Sequence, residues 1–172
     1  MLEIAAPDRP PLRGNRVEIV AAEIEHVYLL ADVLRPGDAA ELAGSGHSAR
    51  KSLYRGYRNS ILCRTAFVDG DIAAMWGLAV GLRPGVSPLS DLAVPWLLTS
   101  AAAARVPLSF LRVAKRELAL MRQHRRRLES FVAADYAQAV KLLRVLGFTV
   151  ERPAPIGVGG ALFSRFHIGF DA

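Results

Sequence analysis

Asp135-Tyr136-Ala137-Gln138-Ala139-Val140-Lys141-Leu142-Leu143-Arg144-Val145-Leu146-Gly147-Phe148 is the stretch on which the fold turns. Asp135 reads as the N-cap of a helix running to Leu146, with Gln138 three residues on completing a capping box. Gly147 supplies the left-handed turn that closes a helix C-terminus, and residues 148–151 resume as a strand. Upstream, residues 127–133 read as another strand. Before them a long helix opens at Val106 or Pro107 and runs to His124, Pro107 suiting the first turn. Leu111, Ala114, Leu118 and Met121 line its inner face, and Arg112, Lys115, Arg116 and Arg122 its outer one. Downstream, a Pro- and Gly-rich loop leads to a last strand over residues 161–168. Gly157-Val158-Gly159-Gly160 in that loop precedes a strand and reads as a hairpin loop, since a phosphate loop opens a helix.

The remaining elements follow from local signals. Residues 92–98 read as a buried strand in which Pro95 marks a missing ladder bond. Residues 82–91 form a loop punctuated by Pro84, Gly85 and Pro88. Residues 61–68 and 71–80 flank Asp69-Gly70, the signature of a two-residue hairpin turn. Ser48 caps a helix to Asn59 with Leu53, Tyr54 and Tyr57 inward. A short helical piece covers residues 38–43, followed by the loop Gly44-Ser45-Gly46-His47. Residues 22–34 carry Ile24, Val27, Tyr28, Ala31 and Leu34 at helical spacing, ended by Arg35-Pro36-Gly37. Residues 17–20 are the first strand. Three prolines and a glycine make residues 1–15 an irregular leader, leaving residues 16–172 as a single domain.

Composition fits that reading. A chain of 172 residues, 52% apolar and 22% charged, buries a real core and is neither disordered nor fibrous. No run approaches the roughly 20 apolar residues of a membrane helix, and the first residues do not resemble a signal peptide. The single cysteine, Cys63, has no internal disulfide partner and reads as a buried, inert thiol. The expected setting is cytoplasmic. The net charge of +6 is local: eight bases and one acid, Glu117, lie between Arg105 and Arg127. An anionic partner is expected to dock there. The four histidines and one cysteine lack metal-ligand spacing, so no metal is expected.

The order is strand, helix, helix, three strands, helix, strand, helix, two strands. With Ala139, Gly147 and Phe148 in place, it resembles the GCN5-related N-acetyltransferase (GNAT) superfamily over nearly the whole chain. The resemblance implies an α/β (α+β) fold. Its mixed central sheet would have about seven strands, the fourth and fifth splayed, with about four helices. It also implies acetyl-CoA bound in the splay near Leu97, Leu98 and Thr99, with Arg105, Arg112 and Arg116 toward the phosphates. The chain departs from the family in Thr99-Ser100-Ala101-Ala102-Ala103-Ala104-Arg105-Val106-Pro107, which has no glycine where backbone amides would cradle a diphosphate. Leu143 stands where the family's acidic tyrosine falls, and Tyr136 where its asparagine falls. The remaining catalytic candidates are Asp91 as base and Tyr136 as acid, with His47 beside an acceptor pocket. Pro95-Trp96-Leu97-Leu98-Thr99 and Phe110-Leu111-Arg112 further resemble the small GNAT-like proteins of tailed bacteriophages, the T7-type internal virion or virion-assembly group. Two readings follow. One is an acyl-CoA N-acyltransferase, phage or prophage encoded, with an altered cofactor loop. The other is a non-catalytic virion or assembly protein binding an anionic partner through its basic third helix. Sequence-specific nucleic-acid recognition is not expected, since no base-reading module is present.

Overall fold

The computed structural model describes residues 15–82 and 85–170. The leader (bar Asn15) and Pro84 lie outside the described residues. The chain runs β1 (Val17–Ala21), α1 (Ile24–Asp32), α2 (Pro36–Gly44), α3 (Ala49–Asn59), β2 (Ser60–Val68), β3 (Asp71–Ala79) and β4 (Leu92–Thr99). A 3-10 turn, Ala101–Arg105, then leads into α4 (Pro107–His124), β5 (Arg127–Ala133), α5 (Ala137–Val145), β6 (Thr149–Val150) and β7 (Phe163–Ile168). The strands form one seven-stranded sheet in the order β1-β2-β3-β4-β5-β7-β6. Neighbours are antiparallel except β4 and β5, which are parallel and in register only at Leu92–Arg127 and Ala93–Leu128. Beyond those two pairs the strands diverge, as the family resemblance implied. The described residues hold five α-helices where about four were expected. The extra one is α2, which the sequence marks only as a short helical piece.

The sheet has a core on each face. Val27 and Leu30 of α1, Leu53 of α3, Met75 and Leu98 pack on one side. On the other, Val113, Leu118 and Met121 of α4 and Ala139, Val140 and Leu143 of α5 pack over Trp76, Leu78, Leu128 and Phe166. Two expected inward residues fall elsewhere: Tyr28 is 50% and Tyr54 48% exposed. Leu30 and Gly56 take the buried positions, and the two tyrosines stand at the rims of their helices, where a phenol keeps its water.

The turn chemistry is as read. Asp69 (φ 53°) and Gly70 (φ 89°) make the tight β2–β3 turn. Gly147 (φ 90°) closes α5. There Phe148 N–H donates to Leu143 and Gly147 N–H to Arg144, the paired bonds of a Schellman motif. The start of α5 differs: its N-cap is Tyr136 and no side chain caps it. Asp135 instead accepts from Ala137 N–H through its own carbonyl, in a turn one residue earlier. Burial pushes the Cys63 thiol up to about 12, so it stays protonated and unreactive. No described helix is long and apolar enough to cross a membrane.

Candidate functional site at the mouth of the splayed strands

Antiparallel pairing decides which β4 backbone groups reach the splay. Ser100 N–H donates to Ala73 at 2.8 Å, so Ser100 is in a hydrogen-bonded pair and the residues at odd positions are not. The backbone groups of Pro95, Leu97 and Thr99 therefore turn away from β3, toward β5. Pro95 loses no ladder bond, because its missing N–H would have pointed into the gap. On the far side Ala134 N–H donates to Leu162 at 2.9 Å, which by the same alternation points Ala133 N–H into the gap.

The short α2 helix lies across this mouth. Pro36 starts it, and Asp38 and Glu41, three apart, share one face. The Asp38 carboxylate, 6% exposed, accepts from Thr99 N–H at 2.9 Å and from Thr99 Oγ1 at 2.5 Å. Its other oxygen accepts from the Tyr136 hydroxyl at 3.1 Å. Arg35 N–H donates to the Thr99 carbonyl at 2.9 Å, and its guanidinium to the Tyr136 hydroxyl at 2.5 Å. Glu41 Oε1 accepts from Ala133 N–H at 2.7 Å. One helix thus ties the end of β4 to the end of β5, and both splay-facing backbone groups of Thr99 are taken.

Burial pushes the Glu41 carboxyl up to about 7, opposed by the Ala133 N–H and reinforced by the charges of Asp38 and Asp135. Burial also raises the Tyr136 phenol, so it keeps its proton and donates. Gly37 is required by packing: a Cβ there would lie 2.6 Å from Tyr136 Cζ. Gly37→Ala is expected to push the ring off Arg35 and Asp38 and to cost about 1–3 kcal/mol, measured as a lowered urea midpoint. An unchanged midpoint would show that the ring is not held there.

The turn after β4 closes on Ser100. Ser100 Oγ donates to the Ile72 carbonyl at 2.6 Å and accepts from Ala102 N–H at 3.1 Å. Ala103 N–H donates to Ser100, Val106 N–H to Ala103, and Phe110 N–H to Val106. Pro107, first in α4, has no N–H to offer.

The expected site residues are only partly brought together. Leu97 and Thr99 reach the splay by their backbones, while Leu98 is 5% exposed and belongs to the α1–α3 core. Tyr136 stands at the mouth. Arg105 does not share a face with Arg112 and Arg116, because it lies in the 3-10 turn and binds Asp71 at 2.5 Å and the Val68 carbonyl. Arg112 and Arg116 are on the exposed side of α4, Arg116 reaching Glu117 at 3.2 Å. Asp91 sits at the paired end of β4, roughly 25 Å along the strand from Thr99. The Arg126 backbone N–H and guanidinium hold its carboxyl below the usual range, so neither place nor basicity suits a general base. His47 is exposed beside Ser45. Among the described residues no cluster of three or more His, Cys, Asp or Glu is placed to hold a metal.

Sequence reading missed Asp38, Glu41 and Glu117. The signal for the first two was a pair of acids three apart just after Pro-Gly. Glu117 is 2% exposed and takes the Trp76 indole N–H at 3.1 Å and Arg64 at 3.2 Å. Its signal was position, an acid on the inner stripe of an otherwise basic helix.

No protein-family model matches the chain, and no curated protein sequence does. Solved structures do. A GNAT-family acetyltransferase from Streptococcus pneumoniae is 17% identical, with a TM-score of 0.57 over 88% of this chain and 98% of that one. A ribosomal-protein-alanine N-acetyltransferase from Brucella melitensis is 15% identical, with a TM-score of 0.66 over 87% and 98%. A Vibrio cholerae spermidine N-acetyltransferase in complex with CoA and spermine is 13% identical, with a TM-score of 0.64 over 88% and 94%. The fold is the GNAT fold. At such identities the likeness carries the architecture alone.

Proposed function

We propose that this chain is a non-catalytic protein of GNAT fold, a scaffold that binds an anionic partner through its basic helical face. The observation that carries this is the bridge at the splay. Asp38 takes the Thr99 N–H and hydroxyl, Arg35 the Thr99 carbonyl, and Glu41 the Ala133 N–H. The residues present do not fit acetyl-CoA held in the splay. The strand-end donors Thr99 N–H and Ala133 N–H are already bonded to Asp38 and Glu41, and in the altered loop after β4 the Ala102 and Ala103 N–H groups are taken by Ser100. Leu143 carries no proton for a leaving thiolate. The likeness of residues 95–99 and 110–112 to the small proteins of tailed bacteriophages supports a virion or assembly role, in the host cytoplasm or the particle.

A second reading, an acyl-CoA N-acyltransferase, is favoured by one feature. Glu41, held near neutrality at the mouth of the gap, has the basicity of a general base for an amine.

Thermal denaturation with millimolar acetyl-CoA separates the two. The scaffold is expected to show no shift. A ligand at a hundred times its Kd stabilises by about 2.7 kcal/mol, roughly 5–10 °C for a chain of this size. A saturable rise of that order would overturn the scaffold reading and return the splay to catalysis.

A further inference from the structure

The structure redraws the basic segment. Of its eight bases, Arg105 is bound to Asp71 and Arg126 to Asp91. Arg125 donates to the Pro88 and His124 carbonyls, and Arg127 lies over the Phe170 ring at 4.3 Å. Arg112, Lys115, Arg116 and Arg122 remain on the exposed side of α4. The α5 helix, packed on the same face of the sheet, adds exposed Lys141 and Arg144. α5 contains no acid, and the one in α4, Glu117, is turned into the core, where it takes Arg116 at 3.2 Å, so that Arg112, Lys115 and Arg122 of α4 carry the outward charge with Lys141 and Arg144.

We infer that the outward faces of α4 and α5 together bind the phosphate backbone of nucleic acid without reading its sequence. Arg112 to Arg122 spans about 15 Å of helix, over which a duplex carries roughly nine charges. The make-up of the face selects this partner over an acidic protein. Protein interfaces put aromatic and apolar side chains at their centre and charge at the rim. Here the charges hold the centre, and the large exposed apolar residues, Leu108 and Val145, stand at one end of each helix. With no aromatic among those cations and no element shaped for a groove, contact is confined to phosphates. This rests on the scaffold reading and names its partner; it is tested apart from the acetyl-CoA titration.

The experiment is fluorescence anisotropy of the full chain with a labelled duplex DNA of arbitrary sequence, titrated across salt concentration. Binding is expected at low salt, equal for a scrambled duplex, and weakening with salt so that log Kd rises linearly with log salt. Reversing Arg112, Lys115 and Arg122 (R112E, K115E, R122E) is expected to weaken it about tenfold or more and to flatten the slope by about 3. The α5 pair K141E and R144E is expected to act in the same direction. Charge reversal on α3 (R55E, R58E) controls for net charge and is expected to change affinity far less. Should the triple reversal not fold, glutamines at the same positions give the same reading with a smaller effect. Three results would overturn the inference: no binding at low salt, equal loss in the α3 control, or tighter binding to polyglutamate than to DNA.

Discussion

Asp38→Ala is expected to lower stability by about 3 kcal/mol and the melting temperature by roughly 6–12 °C. Asp38 is nearly buried and accepts three hydrogen bonds, two of them from Thr99 and one from Tyr136. Bonds to a charged acceptor are worth about 1.5–3 kcal/mol each, and truncation leaves their donors stranded in a dry site. The loss is therefore larger than the sum of weak surface contacts would give. Asp38→Asn keeps the shape and part of the acceptor capacity, so about half the loss is expected. Equilibrium urea denaturation of both variants checks the order. An alanine variant as stable as the parent would mean that α2 does not hold the mouth of the splay. Amide hydrogen exchange gives a local version of the same test, with faster exchange at Thr99 expected in the alanine variant.

Glu41 gives the second large effect, and its sign is set by pH. Its carboxyl rises from 4.5 to about 7 on folding, chiefly through burial. Between those values the folded chain holds more proton than the unfolded one, so stability falls as pH rises. The contribution is fully present below the unfolded value and is lost once pH passes the folded one. The span corresponds to about 3 kcal/mol at most. Glu41→Gln removes the titration while keeping an acceptor for Ala133 N–H. The variant is expected to match the parent in mild acid and to exceed it by about 2–3 kcal/mol in mild alkali. Urea midpoints at the two pH values decide. A constant gap between parent and variant would show that Glu41 is not held near neutrality by this site.

Much of the architecture was legible because its signals are local. Asp69-Gly70 fixes a turn by backbone conformation, and Ser48 caps α3 with its own hydroxyl. Pro107 and Gly147 fix helix ends within a few residues. The splay was legible only through the order of elements and the family it resembles. The bridge was not legible, because Asp38 meets Thr99 across 61 residues and Tyr136 across 98. No periodicity or spacing brings those three together. The same distance misplaced Arg105, whose sequence neighbours are the bases of α4 but whose partner is Asp71 in the β2–β3 hairpin. Asp135 looked like a cap on residue type and Gln138 spacing. The start of α5 answers instead to Tyr136, which Arg35 and Asp38 hold at the mouth.

One family departure gains a physical meaning from this. In the glycine-free run after β4, Ser100 takes the Ala102 and Ala103 N–H groups and ties a 3-10 turn to the start of β3. The alanines suit a turn that closes on itself, where glycines would suit one that wraps an anion.

Backbone amide exchange across residues 97–106, with and without millimolar acetyl-CoA, bears most directly on whether the splay is closed. Protection at Leu97, at Thr99 and through the Ala101–Arg105 turn is expected to be the same in both samples. Slowed exchange at Leu97 and in that turn when acetyl-CoA is present would contradict the account, since those are the amides a thioester arm and its diphosphate would cover.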